Sequence, residues 1–340
     1  MRLLLAPMEG VADFVLRDVL TAIGGYDLAV SEFVRVSGTL LPRRMFERIC
    51  PEILAGSRTA AGTPVAVQLL GSDPVLLAEN AARLAALSPH GIDLNFGCPA
   101  KVVNRHGGGA MLLDRPRLLH DIAAAVRAAV PAAIAVSAKM RLGIADPSRA
   151  LDCAQALAEG GAQAIVVHAR TREQGYRAPA HWEWVARIGD AVRVPVTANG
   201  EVWSVRDWAR CRAVSAAEDV MIGRGAVSDP WLARRIRGER GTEPDERDWV
   251  ELHPHLLRYW EGVQGRAAPV HACGRLKLWL GMLRRNYPAA GRLHEAVRRV
   301  VHPARMNEEL RRHGLAACDH PPCAGVGMPH PACPTMSPDR

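Results

Sequence analysis

Short apolar runs alternate with longer amphipathic stretches over the first 240 residues of the chain. The runs span residues 3–6, 28–32, 65–70, 91–95, 135–140, 164–168, 194–199 and 219–223. Helical periodicity fills most intervals, over 13–21, 74–87, 116–130, 148–159, 204–212 and 230–237. Uniformly apolar runs are typical of parallel strands that are buried on both faces. Eight strand–helix units predict an α/β fold, a (β/α)8 TIM barrel, and favour it over an open doubly wound sheet.

The pattern changes after residue 240. Residues 241–248 form a polar linker, and helical periodicity without a strand follows over 249–262, 273–285, 291–301 and 303–312. We therefore predict a barrel over residues 1–243, a small all-helical domain over 244–314 and a disordered tail over 315–340. The spacing of Cys and His in this Pro-rich tail matches no zinc pattern, so we predict no metal site.

Composition sets the expected compartment. The chain is 49% hydrophobic but only 5% aromatic, so aliphatic residues and alanine must fill a large core. Single cysteines are scattered through the body, as in proteins of reducing compartments. We find no signal peptide and no uncharged apolar run of about 18 residues. The default expectation is a soluble cytoplasmic monomer with no membrane contact and no stable protein partner.

The positive charge is concentrated near the C-terminus. Residues 251–315 carry twelve Lys and Arg against five Asp and Glu, which is nearly all of the net charge of +8. Such a block indicates a nucleic-acid partner, although a solvated arginine-rich surface has the same composition. Lys277 and Arg284 are seven residues apart, with Gly281 between them, so they share one helical face. That face suits a phosphate backbone that approaches closely, or ordinary solvent.

Polar residues stand at or just beyond the ends of seven predicted strands. They are Glu9, Gln68, Asn95 with Cys98, Lys139 with Arg141, His168, Asn199 with Glu201, and Arg224. The C-terminal ends of barrel strands converge on one mouth, where active sites form. One buried Gln or His is usually a satisfied core group, but seven at equivalent positions indicate a functional site.

Two turns suggest a phosphate site. Gly200 follows the seventh run, and Gly223 with Arg224 follows the eighth. This is the usual phosphate position of a barrel, made of backbone amides and a helix N-terminus, and Arg224 adds charge-assisted hydrogen bonds. Two tight turns without a ligand are the alternative.

Lys139 and Cys98 could each have a chemical role. A lysine at a strand end could stabilise the negative charge of a reduced flavin, or form a Schiff base. Cys98 lies between Gly97 and Pro99 in a rigid loop, where a protonated thiol could act as a general acid. A small buried hydrophobe is the alternative for this cysteine. The glycines at 107–109 form no dinucleotide fingerprint, so a nicotinamide cofactor would dock only transiently.

Seven motifs carry a resemblance to a known family: APMEGV at 6–11, VQLLG at 67–71, DLNFGCP at 93–99, KMRLG at 139–143, VHART at 167–171, NGE at 199–201 and MIGRGA at 221–226. In order and content they resemble the tRNA-dihydrouridine synthases, over residues 1–312. SEFVRV at 31–36 and EQGYR at 173–177 resemble the bacterial subgroup that acts on position 16 of the D-loop. The tail departs from the family pattern.

The resemblance implies an FMN-containing barrel, a helical tRNA-binding domain and NADPH as co-substrate. By this likeness the flavin contacts are Pro7, Met8, Glu9, Gln68, Lys139, His168, Asn199, Gly200, Glu201, Gly223 and Arg224. The tRNA contacts are Arg35, Asn95, Arg141, Tyr176, Arg275 and Lys277. A uridine would leave its stack, receive hydride at C6 from the flavin and be protonated at C5 by Cys98.

Two other functions remain open from the sequence. A flavin barrel could act on a free pyrimidine-like molecule, but such a substrate does not need a basic helical domain. The chain could be a non-catalytic RNA-binding protein whose barrel has lost its activity. The presence of Cys98, Lys139 and the phosphate glycines argues against that function.

Overall fold

The computed structural model describes residues 1–100, 107–266 and 268–315. Eight parallel strands form a closed barrel in which each strand pairs with the next and the eighth pairs with the first. They are β1 (Leu3–Leu5), β2 (Leu28–Arg35), β3 (Val65–Leu70), β4 (Ile92–Phe96), β5 (Val136–Arg141), β6 (Ala164–His168), β7 (Val196–Asn199) and β8 (Val220–Ile222). The predicted barrel is confirmed and the doubly wound sheet is excluded. Of the predicted tail, all but Leu315 lies outside the described residues.

Small and branched side chains fill the inside of the barrel. One interior cluster consists of Leu4, Ala6, Val30, Ala66, Val166 and Met221. The alternate residues of the same strands point outward and pack against the helices, which is why both faces of each strand are apolar. The pairing of β2 with β3 shifts register between Val30 and Phe33, so β2 runs three residues further than its apolar pattern predicts.

Nine helices surround the barrel in the described part of the chain: α1 (Phe14–Ile23), α2 (Arg43–Ile49), α3 (Pro74–Ala85), α4 (Pro116–Ala129), α5 (Ala150–Glu159), α6 (Trp182–Ala191), α7 (Val205–Ser215), α8 (Arg224–Ser228) and α9 (Leu232–Ile236). Asp13 and Ser204 cap α1 and α7 by accepting backbone N–H groups. Short 3-10 helices occupy Pro51–Ala55 and Gly109–Asp114. The two caps fix where α1 and α7 begin, and thereby part of the shape of the mouth.

Four helices follow the barrel, as predicted: α10 (Glu246–Gln264), α11 (Pro269–Leu283), α12 (Pro288–Val297) and α13 (Pro303–Arg312). A capping box between Asp245 and Asp248 begins α10. A methyl group on Gly281 would lie 3.3 Å from the His294 ring, so this glycine allows α11 and α12 to pack closely. Gly281 therefore serves helix packing, and a contact of this helical face with RNA stays a prediction. None of the helices in the described ranges is long and apolar enough to cross a membrane.

The polar segment 241–248 is attached to the barrel by Arg235 of α9. This buried guanidinium pairs with Asp229 at 2.8 Å and with Asp248, and it also donates to the carbonyl groups of residues 241 and 243. Tyr287, just after α11, donates to the other oxygen of Asp229 at 2.8 Å. The C-terminal helices are thus joined to the segment of the barrel domain that follows β8.

Candidate active site

A cavity opens at the C-terminal ends of the strands. Its volume of about 470 Å³ is typical of a ligand site. It is lined by fifteen of the residues predicted from the sequence: Pro7, Met8, Glu9, Gln68, Asn95, Cys98, Lys139, Arg141, His168, Tyr176, Asn199, Gly200, Glu201, Gly223 and Arg224. The strand-end rule, which selects polar residues at or just beyond the ends of predicted strands, therefore located one continuous site. The role of each residue in it is a separate question.

Asn95 fixes the loop that carries Cys98. Its side-chain oxygen accepts the backbone N–H groups of Gly97 and Cys98, both at 2.9 Å, and its Nδ2 donates to Gln68 at 2.7 Å. The Cys98 thiol faces the cavity and is only 7% exposed. Burial raises the pKa of this thiol, so it keeps its proton at neutral pH. The loop therefore holds a protonated thiol at a defined place in the mouth.

Gln68 belongs to a buried polar network in the floor of the cavity. Its Nε2 donates to Asp93 at 2.6 Å, and Ser137 donates to the other Asp93 oxygen at 2.5 Å. Burial raises the pKa of Asp93, and the two hydrogen bonds oppose that rise. Because the Gln68 oxygen accepts from Asn95, the orientation of its amide is fixed from both sides.

Lys139 and His168 lie on the polar side of the cavity. Lys139 Nζ donates to Asn199 Oδ1 at 3.1 Å, and burial, together with the nearby Arg141, lowers the pKa of this lysine to about 8. Burial and the surrounding cations, first Arg141 and Lys139, bring the pKa of His168 well below its ordinary value. The histidine is therefore a neutral imidazole, and the lysine is close to its titration point at physiological pH.

Three cations of the mouth have no carboxylate within ion-pair distance among the described residues: Lys139, Arg141 and Arg224. Arg141 donates to the carbonyl groups of residues 97, 171 and 175 instead. The Arg224 guanidinium lies between two aromatic rings, 4.5 Å from the Tyr176 centroid and 4.8 Å from that of Trp203. Burial, then Arg285, lowers the pKa of Arg224. Cations without a direct ion-pair partner in a partly buried cavity favour an anionic ligand near them.

The turns after β7 and β8 form the cationic end of the cavity. Gly200 and Glu201 both have left-handed backbone conformations, with φ of 115° and 60°. A methyl group on Gly225 would collide with the carbonyl oxygen of Val202, so the two turns are in direct contact. Helix α8 has only five residues, so an anion here would be held by turn amides and Arg224 rather than by the helix N-terminus on which the sequence argument relied.

Three residues predicted to contact tRNA lie outside this cavity. Arg35 lines a neighbouring cavity together with Arg48. Arg275 pairs with Asp13 at 2.8 Å in the connection between β1 and α1. Lys277 donates to two carbonyl groups beyond the end of α12, at 3.0 and 3.3 Å. The last two side chains thus have structural partners, and their contacts with tRNA stay predictions.

The predicted site residues left out Glu32 and Trp203, which line the cavity, and Arg170, which pairs with Glu201 of its lining. Glu32 lines the cavity and accepts the Gly10 N–H at 2.6 Å, and burial raises its pKa. Arg170 pairs with Glu201 beneath the turn after β7. Trp203 stacks on Arg224. Each follows or ends a predicted strand, so the strand-end rule, applied without exception, would have found them.

Comparisons with known proteins agree on one family. A family model described as dihydrouridine synthase matches residues 4–313. The tRNA-dihydrouridine(16) synthase of Ralstonia nicotianae is 66% identical over 315 residues, which are 93% of this chain and 96% of that protein. That of Neisseria meningitidis serogroup B is 48% identical over 301 residues, 88% of this chain and 90% of that protein. Among solved structures, the old yellow enzyme homologue of Zymomonas mobilis aligns with a TM-score of 0.51 at 13% identity, covering 73% of this chain and 92% of that one. This last likeness shows the barrel fold alone.

Proposed function

Because this chain belongs to the dihydrouridine synthase family, we propose that it reduces uridine 16 in the D-loop of tRNA to 5,6-dihydrouridine, with FMN bound in the barrel and NADPH as reductant. The observation that carries the proposal is the 66% identity, over almost the whole chain, to a tRNA-dihydrouridine(16) synthase. The cavity supplies the groups that this reaction requires.

The composition of the mouth fits a flavin mononucleotide. Arg224, which has no carboxylate partner in the described ranges, and the two turns it adjoins suit the phosphate. Met8 and its apolar neighbours suit the planar ring. Lys139 would then lie at the polar edge of the ring, where its ammonium group would offset negative charge. When bound, the flavin supplies the hydride that reduces C6 of the pyrimidine.

Cys98 supplies the proton that completes the reduction. The thiol transfers its proton to C5 of the pyrimidine, and the resulting thiolate takes up a proton from solvent before the next turnover. Asn95 holds the loop so that Sγ does not move away from the target atom. Neutral His168 can donate one hydrogen bond without adding charge to the mouth.

In this proposal the barrel and the C-terminal helices have different functions. Residues 1–243 carry the chemistry, and residues 244–314 bind tRNA through the basic excess of the C-terminal helices. Tyr176 is 54% exposed at the rim, next to Arg141, and it provides a ring on which a base can stack after leaving the tRNA helix. Arg35, Arg275 and Lys277 add phosphate contacts outside the mouth.

The test is mass spectrometry of tRNA from a strain that lacks this gene, complemented with wild type, Cys98→Ala or the matched control Cys211→Ala. Cys211 is a buried cysteine of α7, away from the cavity. We expect dihydrouridine 16 to disappear in the deletion strain and to return with wild type and with the control only. Unchanged dihydrouridine, with no second synthase present, would leave a flavin enzyme of free pyrimidines as the better account.

A further inference from the structure

The end of α11 and the residues after it are hydrogen-bonded to the chain segment that follows Arg224. Three side-chain donors reach three consecutive residues: Trp279 Nε1 to the Val227 carbonyl at 3.1 Å, Asn286 Nδ2 to the Ser228 carbonyl at 2.9 Å, and Tyr287 OH to the Asp229 carboxylate at 2.8 Å. The acceptors belong to α8 and its C-cap, which begin at Arg224 itself.

These hydrogen bonds satisfy groups that α8 cannot satisfy alone. The last carbonyl groups of a helix have no partner within it, and α8 is so short that most of its carbonyl groups are of this kind. Trp279 and Tyr287 are each only 1% exposed, so their donors have no water to replace the contact. The position of α8, and with it the direction of Arg224, therefore depends on a helix outside the barrel.

The residues after α11 also reach the turn that follows β7, which is the second turn at the cationic end of the cavity. The Arg285 guanidinium lies 4.2 Å from the centroid of the Trp203 ring, and Arg224 lies 4.8 Å from that centroid. Trp203 belongs to the connection between β7 and α7. A cation contributed by the C-terminal helices is thus stacked beside the anion-binding end of the barrel.

We propose that Trp279, Asn286 and Tyr287 are positioning residues for the phosphate-binding turn, so that the C-terminal helices set the affinity for FMN in addition to binding tRNA. This inference rests on the proposed function, because it assigns the cationic end of the cavity to the flavin phosphate. Arg285 contributes charge to the same end. The helical domain is then part of the cofactor site.

The experiment compares FMN with riboflavin, which has the same ring and no phosphate. Apoprotein is titrated with each flavin, and the quenching of flavin fluorescence gives the Kd. Tyr287→Phe and Asn286→Ala each remove one donor to α8 or its cap. Asn307→Ala is the matched control, because it breaks a hydrogen bond from Trp260 that lies wholly within the C-terminal helices.

We expect each of the two variants to raise the Kd for FMN about fivefold to tenfold, the effect of about one hydrogen bond, and to leave the Kd for riboflavin unchanged. The control should change neither Kd, even if it lowers the melting temperature as much as the variants do. An equal loss for both flavins, or no loss for FMN, would overturn the inference.

Two further measurements keep the outcome unambiguous. If both variants fail to fold, Arg285→Gln provides the test, because Arg285 is exposed and its loss should not disturb folding. This variant should weaken the binding of FMN but not that of riboflavin. Wild-type apoprotein that does not bind FMN would overturn the proposed cofactor together with the inference. Wild type that binds FMN and forms dihydrouridine, with variants of unchanged FMN affinity, would overturn the inference alone.

Discussion

Lys139 Nζ donates a hydrogen bond to Asn199 Oδ1 across the barrel mouth, over a distance of 3.1 Å. The two residues are on β5 and β7, which are separated by β6, and Asn199 in turn donates to the Met221 carbonyl on β8 at 2.8 Å. The partner of the ammonium group is an amide, so the hydrogen bond orients the lysine without neutralising it. Its charge is left for a ligand to neutralise.

The first prediction follows from the pKa of Lys139, which burial lowers to about 8. Above this pH the free protein has lost the ammonium proton, and an anion that restores the charge must be accompanied by proton uptake. The affinity for reduced, anionic FMN should therefore fall as pH rises above about 8, by at most about tenfold per pH unit. Anaerobic titration between pH 7 and 10 measures this slope. Lys139→Met should bind more weakly with a flatter profile, and an equal slope in both proteins would contradict the assignment.

The second prediction concerns Cys98, the proposed proton donor. Cys98→Ala should lower kcat for tRNA reduction by about 10²–10⁴, the usual contribution of a general acid. Reduction of bound flavin by NADPH should be unchanged, because the thiol has no part in it. Since burial raises the thiol pKa, the wild-type rate should fall with rising pH only above the ordinary thiol range. Rapid-mixing kinetics separates the two half-reactions, and an equal loss in both would assign Cys98 a structural role.

The third prediction concerns Arg224. Arg224→Ala should raise the Kd for FMN about tenfold to a hundredfold, as expected for the loss of a charge-assisted hydrogen bond. Arg224→Lys should restore only part of the affinity, because a flat guanidinium, unlike an ammonium group, stacks between Tyr176 and Trp203. Fluorescence titration measures both variants, with the exposed Arg206→Ala on α7 as control. If Arg224→Ala weakened riboflavin binding as much as FMN binding, the phosphate assignment would be wrong.

The fourth prediction compares two glycines. Gly225→Ala should lower the free energy of unfolding by about 1–3 kcal/mol, because the added methyl group collides with the Val202 carbonyl. Gly189 is exposed within α6 and has open space around it, so Gly189→Ala should raise the same free energy by about 0.5–1 kcal/mol. Urea unfolding of both variants checks the opposite signs. Destabilisation by both would show that the backbone contact at Gly225 is not the cause.

Much of the fold could be predicted from the sequence, because eight apolar runs separated by helical periodicity have few ways to bury both faces of each strand. Three barrel helices lie in none of the predicted helical spans, and one of them, α8, has only five residues. Helix α2 has seven residues and buries only Phe46, so it shows little periodicity. Helix α6 was also missed, although Trp182, Val185 and Ile188 line its buried face. The shift of register after Val30 depends on contacts between strands, which no local pattern encodes.

The site was predictable as a location but not as a set of contacts. Strand ends identified Cys98 and Lys139 because the barrel brings these ends together. The sequence could not tell that Asn95 holds the Cys98 loop, or that Arg141 is bound by three carbonyl groups, because those partners are set by tertiary packing. Hydrogen bonds from α11 and the residues after it to α8 and its C-cap join residues more than fifty positions apart, and no motif marks them.

The pairing of β1 with β8 has a consequence for how the protein is made. Arg2 and Asp219, which are bonded through both backbone and side chain, are 217 residues apart. At roughly 5–20 residues per second of synthesis, β1 leaves the ribosome about 10–40 s before its second partner. During that time one edge of the growing sheet is open to other chains. The turn after β8 and the helix that holds it emerge later still, so the mouth is complete only after residues 269–283 have left the ribosome.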